Sequence, residues 1–159
     1  MAAKLADEAD AALREAQEAL RPFPSLAATG PLHDAQKEYA EARLTAALAA
    51  GRPLPSFEDL DVGAAAWLGG LAEASTEMRR HALDRLRDGD LDTATRLLTA
   101  MDDVYGLLVT MDYPDAITGG LRRQVDALRA VLERTRGDLT TTVLQANLQK
   151  TIERSLGRG

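Results

Sequence analysis

Residues 62–80 read VGAAAWLGGLAEASTEMRR. From Val62 to Thr76 the only charged residue is Glu73, and Glu77 follows one helical turn later. A segment that is alanine, leucine and glycine on nearly every side predicts a helix at the centre of a bundle. Ala64, Leu68, Leu71, Ser75, Met78, Ala82 and Leu86 line one side of it. The pattern predicts a helix from near Leu60 to about Arg87, closed by Asp88-Gly89-Asp90. A carboxylate in such a setting is costly unless an arginine, a proton or a metal ion meets it.

The same periodicity extends to both sides. Leu5, Ala9, Ala12, Ala16 and Leu20 mark a first helix, broken by prolines at 22, 24 and 31. A second helix, capped by Thr29 or Gly30 with Pro31 in its first turn, carries Ala35, Tyr39, Ala42, Ala46 and Ala49 and stops at Gly51–Pro53. A fourth uses Leu91, Leu98, Met101, Val104 and Leu108 and is expected to reach Asp112. In Asp112-Tyr113-Pro114-Asp115 an aspartate is expected to cap the last helix, which starts near Asp115 and continues to Leu156. Thr118-Gly119-Gly120 is read as allowing close packing. With 45% hydrophobic but only 4% aromatic residues, the core is aliphatic. The expected fold is all-α, an antiparallel bundle of about five long helices forming one domain over residues 1–159.

Composition also excludes function classes. The chain has no cysteine, which removes thiolate nucleophiles and zinc–thiolate sites. No apolar run approaches the roughly 18–20 residues of a membrane span, and the N-terminus is too acidic for a signal peptide. A cytoplasmic protein with no membrane partner is the expectation. The net charge of −6 argues against coating nucleic acid by bulk charge and leaves room for a local basic patch.

Glu38 and Glu41, in KEYAE, are three residues apart; Glu73 and Glu77, in EASTE, are four apart. Either spacing puts both side chains on one helix face. From spacing alone the commoner explanations are ordinary ones. Glu38 and Glu41 are then solvated charges, with Lys37 and Glu41 an i,i+4 pair. Glu73 and Glu77 are then bridged to an arginine of another helix. His81 continues the line from Glu73 and Glu77. The two histidines, His33 and His81, do not supply the two Glu-x-x-His motifs of a di-iron bundle, so His81 is read as a helix-surface residue.

Three separated stretches resemble, in order, the translin family: QKEYAEA (36–42), WLGGLAEASTEMRRHALDRLRDGDLDTA (67–94) and MDYPDAITGGLRRQVDALRAVLERTRGDLT (111–140). The resemblance spans roughly residues 30–157 and is strongest to the shorter, archaeal-type members. The family's first helix is usually longer and more basic than the one here. What the resemblance implies is a metal-dependent endoribonuclease of the translin-associated factor X type, acting on single-stranded RNA and self-associating into a homo-oligomer. It places the catalytic and metal-binding acids on Glu38, Glu41, Glu73 and Glu77, with Glu73 where the family often has Asp. Four hard oxygen donors on two facing helices suit Mg²⁺ or Mn²⁺. The alternative within the family is a non-catalytic protein that holds single-stranded RNA or DNA. Arg79, Arg80, Arg122, Arg123 and Arg129 are candidates for guiding phosphates, since guanidinium binds them bidentately; for each alone, an intersubunit or intrahelix ion pair is the commoner explanation. Trp67 is read as core rather than a base-stacking platform.

Overall fold

The computed structural model describes residues 2–27 and 30–157. Five long helices carry the fold: α1 (Ala2–Leu20), α3 (Pro31–Ala50), α4 (Ala64–Arg87), α5 (Leu91–Leu108) and α7 (Leu121–Leu156). Two single-turn helices, α2 (Pro24–Ala27) and α6 (Asp115–Thr118), sit in the connections. The all-α fold of about five long helices is therefore what the chain adopts. Core side chains come from all five long helices and from the 51–63 connection.

The central position of α4 follows from its composition. Ala66, Gly69, Gly70, Leu71, Ala72, Ala74, Ser75, Met78 and Ala82 are all buried, on more than one side of the helix. It packs on α3, α5 and α7. The tightest approach is at Gly70. A Cβ there would stand 2.8 Å from the backbone nitrogen of Glu41 and 2.9 Å from the carbonyl oxygen of Lys37. Only a residue without a side chain lets α3 lie this close.

The helices α4 and α5 form a hairpin, with Asp90 capping α5 by accepting a hydrogen bond from the Thr93 N–H at 3.0 Å. The alternation has one exception. The first half of α3 meets the head of α4, where the Gly63 N–H donates to Gln36 Oε1. The tail of α3 meets the head of α5, where Arg96 donates to the carbonyls of Leu48 and Ala49 at 3.1 and 2.8 Å. So α3 and α4 run the same way, and residues 51–63 travel back along the bundle. Thirteen residues reach about 43 Å when extended, enough to return along a 20-residue helix of about 30 Å. Trp67 anchors this connection by donating from Nε1 to the Pro55 carbonyl, a structural role as expected.

Several boundaries differ from expectation. Leu60 and Val62 are buried but belong to the connection, because Asp61 has a left-handed φ of 52° and Gly63 is the extended N-cap of α4. Their apolar rhythm comes from plugging the core, not from helix. The helix α5 stops at Leu108, short of Asp112, and the last helix is split. Pro114, not an aspartate side chain, is the N-cap of α6, and no side-chain cap bond forms there. Gly119 and Gly120 have φ of 63° and 84°, so they break the chain between α6 and α7. A Cβ at Gly119 would meet His33 at an ordinary 3.5 Å, so backbone conformation and not close packing requires glycine. Gly30 caps α3 with Pro31 in the first turn; Thr29 lies outside the described residues. Gly137 interrupts nothing. Beyond Leu139, α7 runs on with Leu144, Leu148, Ile152 and Leu156 exposed along one face.

The contact at Gly70 yields a prediction. Gly70→Ala should destabilise the protein by about 1–3 kcal/mol despite alanine's better helix propensity, because the methyl group meets backbone rather than a flexible side chain. Urea unfolding followed by circular dichroism measures it; a stabilised variant would show that α3 and α4 are not held at this distance.

Candidate metal centre

The α3–α4 contact brings Lys37, Glu38 and Glu41 from one helix against Glu73 from the other. Carboxylate oxygens of Glu38, Glu41 and Glu73 all lie within 4.8 Å of one another. Glu77 lies outside this group. It pairs with Arg80 on its own helix at 3.5 Å, with its side chain 44% exposed. Of the four expected acids, three are brought together and Glu77 stands apart from them, one turn farther along α4.

A cation already stands in the trio. Lys37 Nζ donates to both oxygens of Glu73, at 2.8 and 2.9 Å, and lies 3.4 Å from Glu38. The ordinary alternative for Glu73, a bridge to an arginine of another helix, is thus met by a lysine instead, and Lys37 turns to Glu73 and Glu38 rather than to Glu41 at i,i+4. Gln124, from α7, adds a third hydrogen bond to Glu73, from Nε2 to Oε1 at 3.0 Å. Neither Lys37 nor Gln124 was a predicted site residue. Lys37 is visible beside Glu38 as one of three lysines, but its reach across to α4 runs over Gly69 of the other helix. A Cβ on Gly69 would sit 3.4 Å from the Lys37 stem and from Gln124 Oε1. Gln124 carried no signal in the sequence.

Three carboxylates share one ammonium, and the proton affinities record the imbalance. Burial alone would raise Glu73, but hydrogen bonds and charge from Lys37, with further bonds from Glu41 and Gln124, hold it below the usual carboxylate range. Glu73 in turn raises Lys37. Glu41 is pushed up to about 7, by burial, by its hydrogen bond with Glu73 and by the charges of Glu73 and Glu38. At neutral pH Glu41 thus shares a proton with Glu73 that an ordinary glutamate would have lost.

A second network lies on the far side of α3. Tyr39 donates to Asp10 of α1 at 3.0 Å, and Arg43 donates to the Tyr39 hydroxyl at 2.7 Å. It ties α1 to the turn that carries Glu38 and Glu41. Of the candidate phosphate ligands, Arg79 is committed to α7, with Asp138 at 2.8 Å and Thr135 at 3.2 Å. Arg80 pairs with Glu77, and Arg122 with Asp112 at 3.6 Å, both largely exposed. Arg123 and Arg129 face solvent on α7. The five arginines do not converge on the trio as a group. His81 is half-buried on α4 and does not join it.

A helical bundle with a carboxylate trio between two close-packed helices is the class of protein defined so far. Comparison with known proteins narrows it. The chain is 31% identical over 153 residues to an uncharacterized protein of Methanocaldococcus jannaschii, covering 93% of this chain and 68% of that one. It is 34% identical to AfC3PO in a complex with duplex RNA, with a TM-score of 0.74 over 82% of this chain and 68% of the other. For AfC3PO alone the identity is again 34%, with a TM-score of 0.72 over 91% and 78%. The fold also matches apo-NeC3PO, at 20% identity and a TM-score of 0.77 over 87% and 72%. No family model matches the chain. The chain belongs to the translin family. Among the described residues, no helix is long and apolar enough to cross a membrane.

The raised Glu41 predicts how stability varies with pH in metal-free protein. Between the ordinary carboxylate value of 4.5 and about 7, the folded chain holds a proton that the unfolded chain has released. Raising the pH through this window therefore lowers stability. Glu41→Gln keeps a hydrogen-bond donor toward Glu73 without the charge. It should be more stable than the parent at about pH 8 and lose that advantage below about pH 4.5. Urea unfolding in EDTA across this range checks it; parallel pH profiles would mean Glu41 ionises normally.

Proposed function

We propose that this chain is a metal-dependent endoribonuclease that hydrolyses phosphodiester bonds in single-stranded RNA, with Mg²⁺ or Mn²⁺ as its ion. The observation that carries the reading is the convergence of Glu38, Glu41 and Glu73 across the α3–α4 contact. Three carboxylates within reach of one point are a hard-oxygen donor set, and one ammonium leaves them short of positive charge. The donor chemistry fits Mg²⁺ or Mn²⁺, which complete their shells with water and substrate oxygens. When bound, such an ion supplies Lewis acidity toward a phosphoryl oxygen and lowers the pKa of a bound water.

Glu38, Glu41 and Glu73 are the residues that would hold it. Glu73 is oriented for this by Gln124, which fixes one of its oxygens. Attack by water on phosphorus, with the P–O3′ bond breaking and the 3′ oxygen leaving as a hydroxyl, gives a 5′-phosphate and a 3′-hydroxyl. Glu77 and Arg80 lie farther along α4 as a pair at 3.5 Å, and in this reading they meet substrate rather than ion. The exposed Arg122, Arg123 and Arg129 are the phosphate guides in this reading. The open leucine stripe of α7, from Leu144 to Leu156, supports self-association.

A second reading is a protein that holds RNA without cutting it. Lys37 inside the trio and Glu77 outside it both favour that alternative. The complex of AfC3PO with duplex RNA brings a double-stranded ligand into consideration as well.

End-labelled single-stranded and duplex RNA, incubated with Mn²⁺ or with EDTA, separate these readings. Cutting of the single strand in Mn²⁺ alone is the expected result. Glu41→Gln and Glu73→Gln should each lose roughly a hundredfold or more in rate, whereas Glu77→Gln should lose less than about tenfold. RNA retained intact in Mn²⁺ favours the binding protein, and equal loss in all three variants restores Glu77 to the site.

A further inference from the structure

We propose that Lys37 is a resident cation that a divalent metal ion has to displace, so that its ammonium group sets the metal affinity of the site. This inference rests on the reading of the trio as a metal centre.

The seat of Lys37 is built from both ends. Its stem lies against Gly69 of α4, where a Cβ would come within 3.4 Å of Cγ and Cδ. Its head holds both oxygens of Glu73 and approaches Glu38, two of the three carboxylates that would ligate the ion. The side chain is 21% exposed, so this position is inside the contact and not in solvent. A metal ion ligated by Glu73 bonds to oxygens that the ammonium occupies at hydrogen-bond distance. Two cations on one carboxylate, a few ångströms apart, repel strongly in a partly desolvated site. The lysine stem has four rotatable carbons, and the mouth of the site opens through Glu38, whose side chain is 67% exposed. Metal entry and ammonium exit are therefore one exchange. Once displaced, the ammonium remains tethered at the rim as a point charge.

Mn²⁺ binding read by the electron paramagnetic resonance of the free ion tests this without any RNA. Lys37→Met and Lys37→Gln remove the resident charge. Each should bind Mn²⁺ on the order of ten- to a hundredfold more tightly than the parent, the range set by losing a charge-assisted hydrogen-bond competitor. Circular dichroism shows that a variant scored this way is folded. Equal or weaker binding by a folded variant, with the parent binding Mn²⁺, overturns the exchange and leaves the metal centre standing. If neither the parent nor either variant binds, the metal centre fails and takes this inference with it. The parent protein gives an independent readout, because the chain has only three lysines, Lys4, Lys37 and Lys150. In lysine-labelled protein titrated with Mg²⁺, the Lys37 side-chain resonance should move toward the positions of the two solvated lysines. A Lys37 signal that stays in place while Mg²⁺ binds also overturns the exchange.

Discussion

The structure depends on one close approach, the seating of α3 against Gly70 of α4. With no side chain at position 70, the backbone of Lys37 and Glu41 takes the space that a Cβ there would need. That distance has an electrostatic consequence. Glu38 and Glu41 project from the same stretch of α3 that is pressed on α4, and Glu73 lies one turn beyond Gly70. Any pair of helices packed this tightly with acids at these positions forces carboxylates together. Like charges in partial burial raise one another's proton affinity, and the fold tolerates them only with positive charge among them.

The metal-free protein meets that requirement in two ways, neither complete. Lys37 neutralises Glu73, and a proton shared between Glu41 and Glu73 neutralises much of Glu41 at neutral pH. Glu38 lies at the solvent edge, where water screens its interactions. Both devices are removable, unlike an arginine locked by bidentate bonds from a third element. Arg79 shows the contrast a little farther along α4. Its guanidinium bridges to Asp138 and Thr135 on α7 and holds the helices together.

Much of this was legible in the sequence, for reasons that can be located. The apolar surround of Glu73 marked α4 as central, and the KEYAE and EASTE spacings placed acids on the correct faces. The residues that misled did so where tertiary structure overrides a local pattern. Leu60 and Val62 continue the apolar rhythm of α4, yet they fill the core from a loop turned by the left-handed Asp61. Glu77 keeps helical register with Glu73 yet stands apart from the three grouped acids, because register on one helix does not say what the facing helix supplies. Lys37 and Gln124 were unreadable as site residues because each reaches across an interface. Lys37 does so over a glycine on another helix, and Gln124 from a helix 51 residues further along the chain. One-dimensional spacing carries faces, not crossings.

The identity of the cation in the trio then becomes a matter of relative charge density. An ammonium offers one charge spread over three N–H donors and meets Glu73 at about hydrogen-bond length; it leaves Glu41 without a partner of its own. On the proposed reading, a divalent ion would bring two charges to the three carboxylates and satisfy Glu41 as a carboxylate rather than as an acid. The arrangement held by Lys37 preserves the fold, and one held by a metal ion would satisfy the whole donor set. Exchange between the two would need a lysine close enough to guard Glu73 and flexible enough to leave. Lys37 meets both demands, its stem lying against Gly69 in the same helix turn where Gly70 sets the distance between α3 and α4.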